Sequence, residues 1–447
     1  MSKQDRITPR TLKGFRDYPP ELALPRERII ETARHVYRSF GYAPIDTPAL
    51  EYLEILTGKG SEETDKQLYR FTDHGSREVG MRFDLTVPLA RFAAQYAQQL
   101  GLPFKRYHIA SVWRGENPQK GRYREFMQAD FDTVGSTGVA SDIETVVVLH
   151  TLLRACGFER FAIRINHRGV LDGVLDKAGL AGRSAPVLRA LDKLAKIGPE
   201  KVAEDLKQTA EASATQIDAV LQFASLTGEN ATLLAEIQRL VAGNATGEAG
   251  LERLRETLTG VAASQIDPGG EAAVRIDPAI ARGLDYYTGL VLETLLTDLP
   301  GIGSVASGGR YDNLAGLYTS QSLPGIGASL GVDRLLAAME ELGQTGAART
   351  PADVLIVYFA EDRLADYLRL SATLRAQGIA TELYPEPKKL AKQLQYADKR
   401  GFRVALIAGP DELARDECQL KHLATSEAIS TPLADVVTTV RRLLDSI

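Results

Sequence analysis

Residues 107–132 read YHIASVWRGENPQKGRYREFMQADFD, and this stretch decides the fold. Two apolar arms flank the polar run GENPQKGR, so the segment is predicted to form an antiparallel hairpin with a long loop. From Lys105 to Arg124 the chain carries six lysines and arginines and a single carboxylate, that of Glu116. Guanidinium groups match phosphate oxygens with paired hydrogen bonds, so the loop suits a phosphate-bearing ligand. A solvated basic loop is the simpler alternative.

Individual side chains of the hairpin favour a binding site over a solvated loop. Arg114 lies at the end of an apolar arm, where an arginine is costly unless it points into a polar site. Alternate positions on the returning arm share one face of a strand. Those positions hold an aromatic ring, an amide and two carboxylates: Phe126, Gln128, Asp130 and Asp132. Such a combination is not typical of a hydrophobic core.

The segment MRFDLTVPLAR, residues 81–91, places two polar residues directly before a predicted helix. Asp84 and Thr86 are two positions apart on an extended stretch, so both are predicted to face one side, with Pro88 starting the helix. The alternative is purely structural, because threonine is a common helix cap.

The stretch ARGLDYYTG, residues 281–289, combines charged and aromatic side chains between glycines. If it is extended, its side chains alternate between two faces. One face then carries Arg282, Leu284 and Tyr286, and the other carries Asp285 and Tyr287. The two tyrosines can line one pocket only if the strand bends near Tyr287. The alternative is an aromatic strand with a structural arginine–aspartate pair.

Two glycine-rich stretches follow, SGGRYDNL at 307–314 and GIGASLGVDRLL at 325–336. Glycines allow a backbone to approach a ligand closely. The four glycines concerned are Gly308, Gly309, Gly325 and Gly327. Gly331 marks the point where a strand gives way to a helix. Arg334, on the first turn of that helix, opposes the dipole preference for acids and therefore indicates an anionic partner.

Bulk composition excludes several classes of protein. A chain of 447 residues with 44% apolar and 25% charged residues is typical of a globular protein with about three domains. No run approaches the ~18 to 20 apolar residues of a membrane span, so no membrane association is predicted. The N-terminus lacks the apolar core of a secretory signal, and a cytoplasmic location is expected. A net charge of -5 disfavours a broad nucleic-acid coat but allows a local basic patch.

Cysteine and histidine usage argues against a resident metal. Cys156 and Cys418 are the only cysteines, and the six histidines lack metal-ligand spacing. No metal held by protein ligands alone is therefore predicted.

Local composition and hydrophobic periodicity divide the chain further. Residues 170 to about 265 are rich in Ala, Leu, Lys, Glu and Gln with helical periodicity throughout, which predicts an inserted helical subdomain. The run GQTGAARTPA, residues 343–352, is typical of a linker. Beyond it, strand-like and helix-like segments alternate, and this alternation predicts a separate α/β domain.

Taken together, these stretches resemble the class II aminoacyl-tRNA synthetases, and specifically the histidyl-tRNA synthetase family. The predicted helix at 21–41, together with YAPIDTPALE at 42–51, resembles motif 1 of the class II enzymes. The 107–132 hairpin resembles motif 2, and GIGASLGVDRLL resembles motif 3. ARGLDYYTG and SGGRYDNL resemble two signatures peculiar to the histidine enzymes. The resemblance implies an α+β fold, with an antiparallel-sheet catalytic core, a helical insertion and a C-terminal α/β anticodon-binding domain. The predicted limits are 1–170 and 267–342 for the core, 171–266 for the insertion, 343–351 for the linker and 352–447 for the anticodon-binding domain.

The resemblance also implies roles for individual residues, and an enzyme that attaches L-histidine to tRNA(His) for protein synthesis. The implied catalytic arginines are Arg114, Arg282 and Arg334. ATP would be bound by Arg114, Glu116, Arg122, Phe126 and Arg334, with Mg²⁺ bridging its phosphates. Histidine would be bound by Asp84, Thr86, Gln128, Asp132, Arg282, Tyr286 and Tyr287. The first motif implies a homodimer.

Two departures and three alternatives accompany this interpretation. Asp84 stands where other branches of the family have a glutamate, and the GENPQKG loop is short. One alternative is a catalytically silent relative, the regulatory subunit of ATP phosphoribosyltransferase, which typically lacks the anticodon domain and catalytic arginines. The others are a class II synthetase for another amino acid and a nucleic-acid-binding module without catalysis. Retention of Arg114, Arg282 and Arg334 counts against the first and the last.

Overall fold

The computed structural model describes residues 7–57, 62–266, 273–280 and 286–445. By internal contacts the chain divides into two compact units. The larger includes Arg28–Leu342, and the smaller comprises Tyr18–Glu27 together with the chain from Gly343. None of the helices in the described ranges combines the length and the apolar character needed to cross a membrane.

The larger unit contains eleven described strands in two sheets. They are β1 Ala43–Pro44, β2 Leu50–Tyr52, β3 Arg70–Thr72, β4 Glu78–Met81, β5 Phe104–Trp113, β6 Glu125–Val134, β7 Phe161–His167, β8 Ala273–Ile276, β9 Leu290–Leu296, β10 Ser304–Arg310 and β11 Gly325–Gly331. The main sheet has eight strands in the order β1-β5-β6-β11-β10-β9-β7-β8. Its six central strands pair antiparallel, and only the edge pairs β1–β5 and β7–β8 are parallel among the described strands. A small second sheet has the order β2-β4-β3.

The predicted hairpin is confirmed as the pair β5–β6. Its antiparallel register runs from Phe104 opposite Val134 to Trp113 opposite Glu125. Strand β5 begins at Phe104. Lys105 and Arg106, which were counted with the basic loop, therefore already pair with β6. Phe131 of β6 packs against Tyr37 of α1 with ring centroids 5.1 Å apart, and both side chains are buried.

Twelve α-helices among the described residues of the larger unit surround the sheets or form the insertion. They are α1 Pro20–Ser39, α2 Leu53–Leu56, α3 Glu62–Gln67, α4 Thr86–Leu100, α5 Val139–Ala155, α6 Arg168–Lys177, α7 Ser184–Leu191, α8 Leu194–Thr209, α9 Ala214–Ala224, α10 Asn230–Val241, α11 Ala245–Ala263 and α12 Val332–Glu341. The first of these begins within the smaller unit's segment and matches the predicted helix at 21–41 to within two residues at each end.

Helices α6 to α11 occupy the region predicted to be an inserted helical subdomain. Its interior is apolar, with Val202, Phe223 and Leu254 fully buried. Helices α6 and α11 approach closely, because a Cβ added at Gly173 would lie 2.6 Å from the Cα of Gly247. The absence of two side chains at this crossing therefore sets the distance between the two helices.

The smaller unit is an α/β domain built on a five-stranded sheet of order β13-β12-β14-β15-β16. Its described elements are β12 Val354–Ile356, α13 Leu364–Ala376, β13 Thr381–Leu383, α14 Leu390–Arg400, β14 Val404–Ile407, α15 Pro410–Ala414, β15 Glu417–His422, β16 Ala428–Pro432 and α16 Val436–Asp445. The first three strands are parallel and the last two antiparallel. Two of these elements, α15 and β16, are short and have no strong apolar period.

Candidate active site

The larger unit contains a cavity of about 1000 Å³. Strands β6, β10 and β11 supply part of its lining, and the segments before α4 and before β9 supply more. The cavity brings together the predicted site residues that the structure describes: Asp84, Thr86, Arg114, Glu116, Arg122, Phe126, Gln128, Asp132, Tyr286, Tyr287 and Arg334. The remaining predicted residue, Arg282, lies outside the described residues.

Asp84 fixes the start of α4. Its Oδ1 accepts hydrogen bonds from the backbone N–H groups of Thr86 at 3.0 Å and Val87 at 2.9 Å. The prediction that Pro88 starts the helix is therefore wrong, because α4 begins at Thr86. The capping group is the Asp84 carboxylate, which satisfies two of the free amides at the helix start. Burial raises the pKa of Asp84, and the backbone hydrogen bonds together with the charge of Arg114 oppose that rise.

Asp132 is held by a buried ion pair that the sequence did not reveal. Its Oδ2 lies 2.7 Å from Nη2 of Arg106, and the two side chains are only 3% and 0% exposed. The Tyr311 hydroxyl donates a hydrogen bond to the other carboxylate oxygen. Burial raises the pKa of Asp132, while Arg106 and Tyr311 lower it. Arg106 was counted among the phosphate-binding cations, but it neutralises a carboxylate inside the sheet.

Other cations of the predicted basic loop are also bound to the protein. Lys105 lies in β5 and forms a salt bridge with Glu144. Lys120 Nζ lies 3.3 Å from a carboxylate oxygen of Glu341, and Arg124 Nε donates to a carbonyl of the same loop at 3.1 Å. The count of six cations therefore overstated the positive charge available to a ligand.

Arg114 and Arg334 both line the cavity and are held by backbone carbonyls. Arg114 Nε donates to the carbonyl oxygen of Phe83 at 3.1 Å. Its guanidinium carbon lies 4.3 Å from the ring centroid of Phe83 and 5.0 Å from that of Phe126. Nη1 of Arg334 donates to the carbonyl oxygen of Ser304. Two fixed guanidinium groups thus provide positive charge without needing to reorganise.

The loop between β5 and β6 folds back towards α12. Gly121 lies in the left-handed region with a φ of +71°, and a Cβ added there would be 3.4 Å from Cβ of Ala337. Nη1 of Arg122 lies 3.9 Å from a carboxylate oxygen of Glu116 within the same loop. The glycine permits this close return, which brings the loop next to the helix that carries Arg334.

The two tyrosines enter the same cavity because they are not in a strand. Strand β9 begins only at Leu290, so the alternation of faces predicted for an extended stretch does not apply at Tyr286 and Tyr287. Their ring centroids are 5.1 Å apart at an interplanar angle of 74°. Burial raises the pKa of both hydroxyls above the ordinary tyrosine value, so both are neutral at physiological pH.

A chain of ion pairs holds the segment that follows the tyrosines. Thr288 donates its backbone N–H to the carbonyl oxygen of Arg310 at 2.7 Å and its hydroxyl to Asp312 at 2.9 Å. The guanidinium of Arg310 bonds to the fully buried Asp142 of α5. The second oxygen of Asp142 accepts a hydrogen bond from Arg253 Nε of α11 at 2.6 Å. The inserted helices are thereby connected to the residue next to Tyr287.

Two of the predicted ligand-approach glycines serve the sheet itself. A Cβ added at Gly327 would lie 2.1 Å from Oδ1 of Asp132, and one at Gly325 would lie 2.3 Å from the ring of Tyr311. These glycines leave room for side chains of neighbouring residues across the sheet. Gly308 and Gly327 also border the cavity, where direct approach of a ligand to their backbone stays a prediction.

Sequence reasoning missed several residues of the cavity lining. Tyr311 and Ser329 lie within the quoted glycine-rich stretches, so their motifs were seen but their side chains were not assigned. The inserted helical region contributes Leu188, Arg189, Asp192 and Lys193, which no local motif marks. Only the fold brings that region to the cavity.

Comparison with known proteins decides the family. The family model for histidyl-tRNA synthetase matches residues 14–335, and the model for an anticodon-binding domain matches residues 353–443. The chain belongs to the histidyl-tRNA synthetase family. As a member of this family it is an aminoacyl-tRNA synthetase, and the histidine–tRNA ligase reaction follows from the family. Histidine is activated with ATP, and the histidyl group is then transferred to tRNA.

Relatives of the synthetase match over nearly their full lengths. This chain is 58% identical over 422 residues to the histidine–tRNA ligase of Rhodopirellula baltica, and the match covers 94% of this chain and 95% of the relative. The corresponding ligase of Wolinella succinogenes is 44% identical, covering 95% and 96%.

Solved structures extend the likeness to the fold. The crystal structure of histidyl-tRNA synthetase from Nostoc sp. PCC 7120 matches with a TM-score of 0.88 at 32% identity, covering 98% of this chain and 100% of that one. A structure described as an ATP phosphoribosyltransferase regulatory subunit/histidyl-tRNA synthetase from Bacillus halodurans C shares the fold, with a TM-score of 0.73 at 22% identity, covering 88% and 97%. The fold alone does not distinguish a synthetase from a regulatory subunit. The match to an anticodon-binding domain and the high identity to histidine–tRNA ligases make that distinction.

Proposed function

We propose that the described cavity is the place where this chain activates histidine. The observation that carries the proposal is the convergence of residues from β6, from the segment before α4, from α12 and from the segment before β9 on one cavity. In this proposal ATP is bound by Arg114, Glu116, Arg122, Phe126 and Arg334. Histidine is bound by Asp84, Thr86, Gln128, Asp132, Arg282, Tyr286 and Tyr287. The part assigned to Arg282 rests on the resemblance alone.

The first step is an in-line attack of the histidine carboxylate on the α-phosphate of ATP, with pyrophosphate leaving. Negative charge builds on phosphate oxygens, so catalysis consists mainly of positioning and fixed positive charge. Arg114 and Arg334 supply that charge from positions secured by carbonyl oxygens. Phe126 faces the cavity beside Arg114, where its ring is suited to stack on the adenine.

Recognition of histidine is assigned to carboxylates and neutral hydroxyls. Carboxylates such as Asp84 suit the α-ammonium group, and the uncharged hydroxyls of Tyr286 and Tyr287 suit the imidazole nitrogens. A pocket that hydrogen-bonds its substrate rejects analogues without those groups by about 10⁴-fold or more, so a separate editing reaction is not required. In the second step, a ribose hydroxyl of tRNA attacks the carbonyl carbon of the histidyl-adenylate, the ester bond forms as the bond to the phosphate oxygen breaks, AMP leaves, and a phosphate oxygen of that AMP accepts the hydroxyl proton.

Mg²⁺ accompanies ATP in this proposal. Among the described residues no group of three or more His, Cys, Asp and Glu side chains could hold a metal ion. Mg²⁺ is typically bound through one or two carboxylates plus substrate phosphates, and the cavity offers Glu116 and Glu293. These residues fit an ion brought by the nucleotide. When bound, it would neutralise phosphate charge.

A pair of substitutions tests the division of the cavity. Phe126→Leu is expected to raise KM for ATP about 10- to 100-fold, since loss of a base–aromatic stack costs about 1–3 kcal/mol. Tyr287→Phe is expected to raise KM for histidine about 5- to 10-fold, the value of one neutral hydrogen bond. Both constants are measured by ATP–pyrophosphate exchange. Each variant serves as the control for the other, and a swapped pattern would contradict the assignment.

Homodimer formation is proposed to involve the first class motif. Support comes from apolar side chains that are exposed in the small sheet: Leu50 and Tyr52 of β2 are 45% and 51% exposed, and Phe71 of β3 is 46% exposed.

A cytoplasmic location is proposed because the two cysteines, Cys156 and Cys418, are free thiols.

Residues 352–447 are proposed to bind the anticodon of tRNA(His) and to contribute little to chemistry. Removing them is expected to lower tRNA charging by about 100-fold or more and to change histidine-dependent exchange by less than about threefold, because a second contact with tRNA acts through effective concentration. Exchange serves as the internal control for the catalytic unit. Equal loss of both activities would mean that the domain supports the core structurally.

A further inference from the structure

The N-terminal segment, residues 13–16, lies against the loop between β5 and β6 and has no part in the roles assigned above. The backbone N–H of Arg124 donates to the carbonyl oxygen of Gly14 at 2.8 Å, and Nη1 of Arg124 donates to the carbonyl oxygen of Lys13 at 3.3 Å. On its other side, the carbonyl oxygen of Arg124 accepts a hydrogen bond from the backbone N–H of Arg114 at 2.9 Å. One residue of the loop thus connects the N-terminal segment to the backbone of a proposed catalytic arginine.

Gly14 allows the close contact with Arg124. Its φ of +87° lies in the left-handed region, and a Cβ added there would lie 2.7 Å from Cδ of Arg124. Glycine is therefore favoured on two grounds, the backbone conformation and the space that the Arg124 side chain fills. That side chain continues across the loop, where its Nε donates to the carbonyl oxygen of Glu116 at 3.1 Å. Arg124 thereby contacts both the N-terminal segment and the opposite side of the loop.

The side chain of Arg16 connects the same loop to α12. Its two terminal nitrogens donate to the two carboxylate oxygens of Glu340, Nη2 to Oε1 at 3.1 Å and Nη1 to Oε2 at 3.3 Å. Nη1 also donates to the hydroxyl of Tyr123, a residue of the loop, at 2.7 Å. A paired guanidinium–carboxylate contact fixes orientation as well as distance. Because Glu340 lies on the helix that carries Arg334, Arg16 joins the two elements that supply residues of the proposed ATP site.

A second ion pair between the loop and α12 is more exposed to solvent. The side chains of Lys120 and Glu341 are 65% and 42% exposed, and exposed pairs contribute little. The side chains of Arg16 and Glu340 are only 22% and 29% exposed. Arg16 itself is not among the described residues that line the cavity, so it can influence bound ATP only through the loop and α12.

We propose that Arg16 is a positioning residue for ATP. By bonding Tyr123 and Glu340 at once, it holds the loop where Glu116 and Arg122 meet the nucleotide. Groups that are already fixed need not be ordered when ATP binds, so the contact strengthens ATP binding without touching it. This inference rests on the proposed ATP site and adds to it a residue 107 positions before Tyr123 in the chain.

The test compares Arg16→Met with the wild-type chain by histidine-dependent ATP–pyrophosphate exchange. We expect kcat/KM for ATP to fall about 10- to 100-fold, since displacing a binding group by about 1 Å has an effect of that order, with KM for histidine changed less than about twofold. Arg16→Lys keeps the charge opposite Glu340 but not the paired geometry, and should recover part of the loss. Gly14→Ala, which displaces Arg124 from the N-terminal segment, should affect ATP and spare histidine in the same way.

Two matched controls remove nearby charges and leave the contacts of Arg16 in place. Lys13→Ala removes an exposed side chain of the N-terminal segment and keeps the carbonyl oxygen that Arg124 binds. Glu341→Gln removes the carboxylate next to Glu340 in the chain, whose partner is the exposed Lys120. Both variants should leave kcat/KM for ATP within about twofold of the wild-type value.

A folded Arg16→Met variant with an unchanged kcat/KM for ATP would overturn the proposal, and so would an equal loss for ATP and histidine, which indicates general structural damage. If Phe126→Leu also leaves KM for ATP unchanged, the proposed ATP site itself fails rather than Arg16 alone. Tyr123→Phe covers the case of an Arg16 variant that does not fold, because it removes only the hydroxyl that Arg16 binds. We expect it to lower kcat/KM for ATP about fivefold, and no change would equally overturn the proposal.

Discussion

Arg114→Ala is expected to lower histidine-dependent ATP–pyrophosphate exchange by about 10³-fold, because it removes a fixed positive charge from the site of developing phosphate charge. The guanidinium lies over the rings of Phe83 and Phe126, and its Nε donates to the carbonyl oxygen of Phe83. The loss should therefore appear mainly in kcat rather than in the affinity for histidine.

Two further substitutions make the Arg114 result interpretable. Arg114→Lys keeps the charge but loses the planar guanidinium group and its stacking. Its exchange rate should therefore still be about 10- to 100-fold below that of the wild-type chain. Lys120→Ala is the control within the same loop, since this lysine is exposed and pairs with Glu341, and it should leave exchange within about twofold, as expected for a surface pair. An Arg114→Ala variant that is folded and exchanges at the normal rate would remove Arg114 from the mechanism.

Arg106→Leu is expected to reduce the free energy of unfolding of the catalytic unit by about 3–5 kcal/mol. The reason is that Arg106 is 0% exposed and its loss leaves the Asp132 carboxylate buried without a cation. Urea unfolding followed by tryptophan fluorescence would measure the effect. The chain has one tryptophan, Trp113, at the end of the strand that carries Arg106, so the signal reports on this unit.

Two controls distinguish the buried ion pair from charge in general. Lys105→Met removes the neighbouring cation of the same strand, whose partner Glu144 is 35% exposed, and should cost about 0–1 kcal/mol. Adding Asp132→Leu to Arg106→Leu should recover part of the stability, because replacing both ions by apolar groups avoids the unpaired charge. A double variant no more stable than Arg106→Leu alone would contradict this account.

The sequence predicted the hairpin well because its information is local. Two apolar arms around a polar run specify an antiparallel pair, and alternation along one arm correctly placed Phe126, Gln128 and Asp132 on one cavity. The start of α4 was misplaced by two residues because a proline is a strong helix-start signal, whereas the capping by Asp84 depends on the conformation that precedes it.

The remaining errors come from contacts between distant segments. Arg106 was interpreted as a ligand-facing cation because its partner Asp132 is remote in sequence and is brought beside it only by the strand register. The tyrosine pair was predicted to line one pocket only if the chain bends near Tyr287, and what holds that non-extended segment is again remote in sequence, because Thr288 is bound to Arg310 and Asp312 before β9 begins. The contribution of Arg189 and its neighbours to the cavity required the packing of the whole insertion.

The hydrogen-bonded path from Arg253 through Asp142 to Arg310 limits how the inserted helices can be exchanged between relatives. Asp142 belongs to the catalytic unit outside the predicted insertion, and its fully buried carboxylate takes one of its two arginines from α11. A transplanted helical cassette without an equivalent of Arg253 would leave that acid with one cation and loosen the support of Thr288. In engineering terms the insertion is not a detachable module, since its boundary crosses a shared charge network beside the amino-acid pocket.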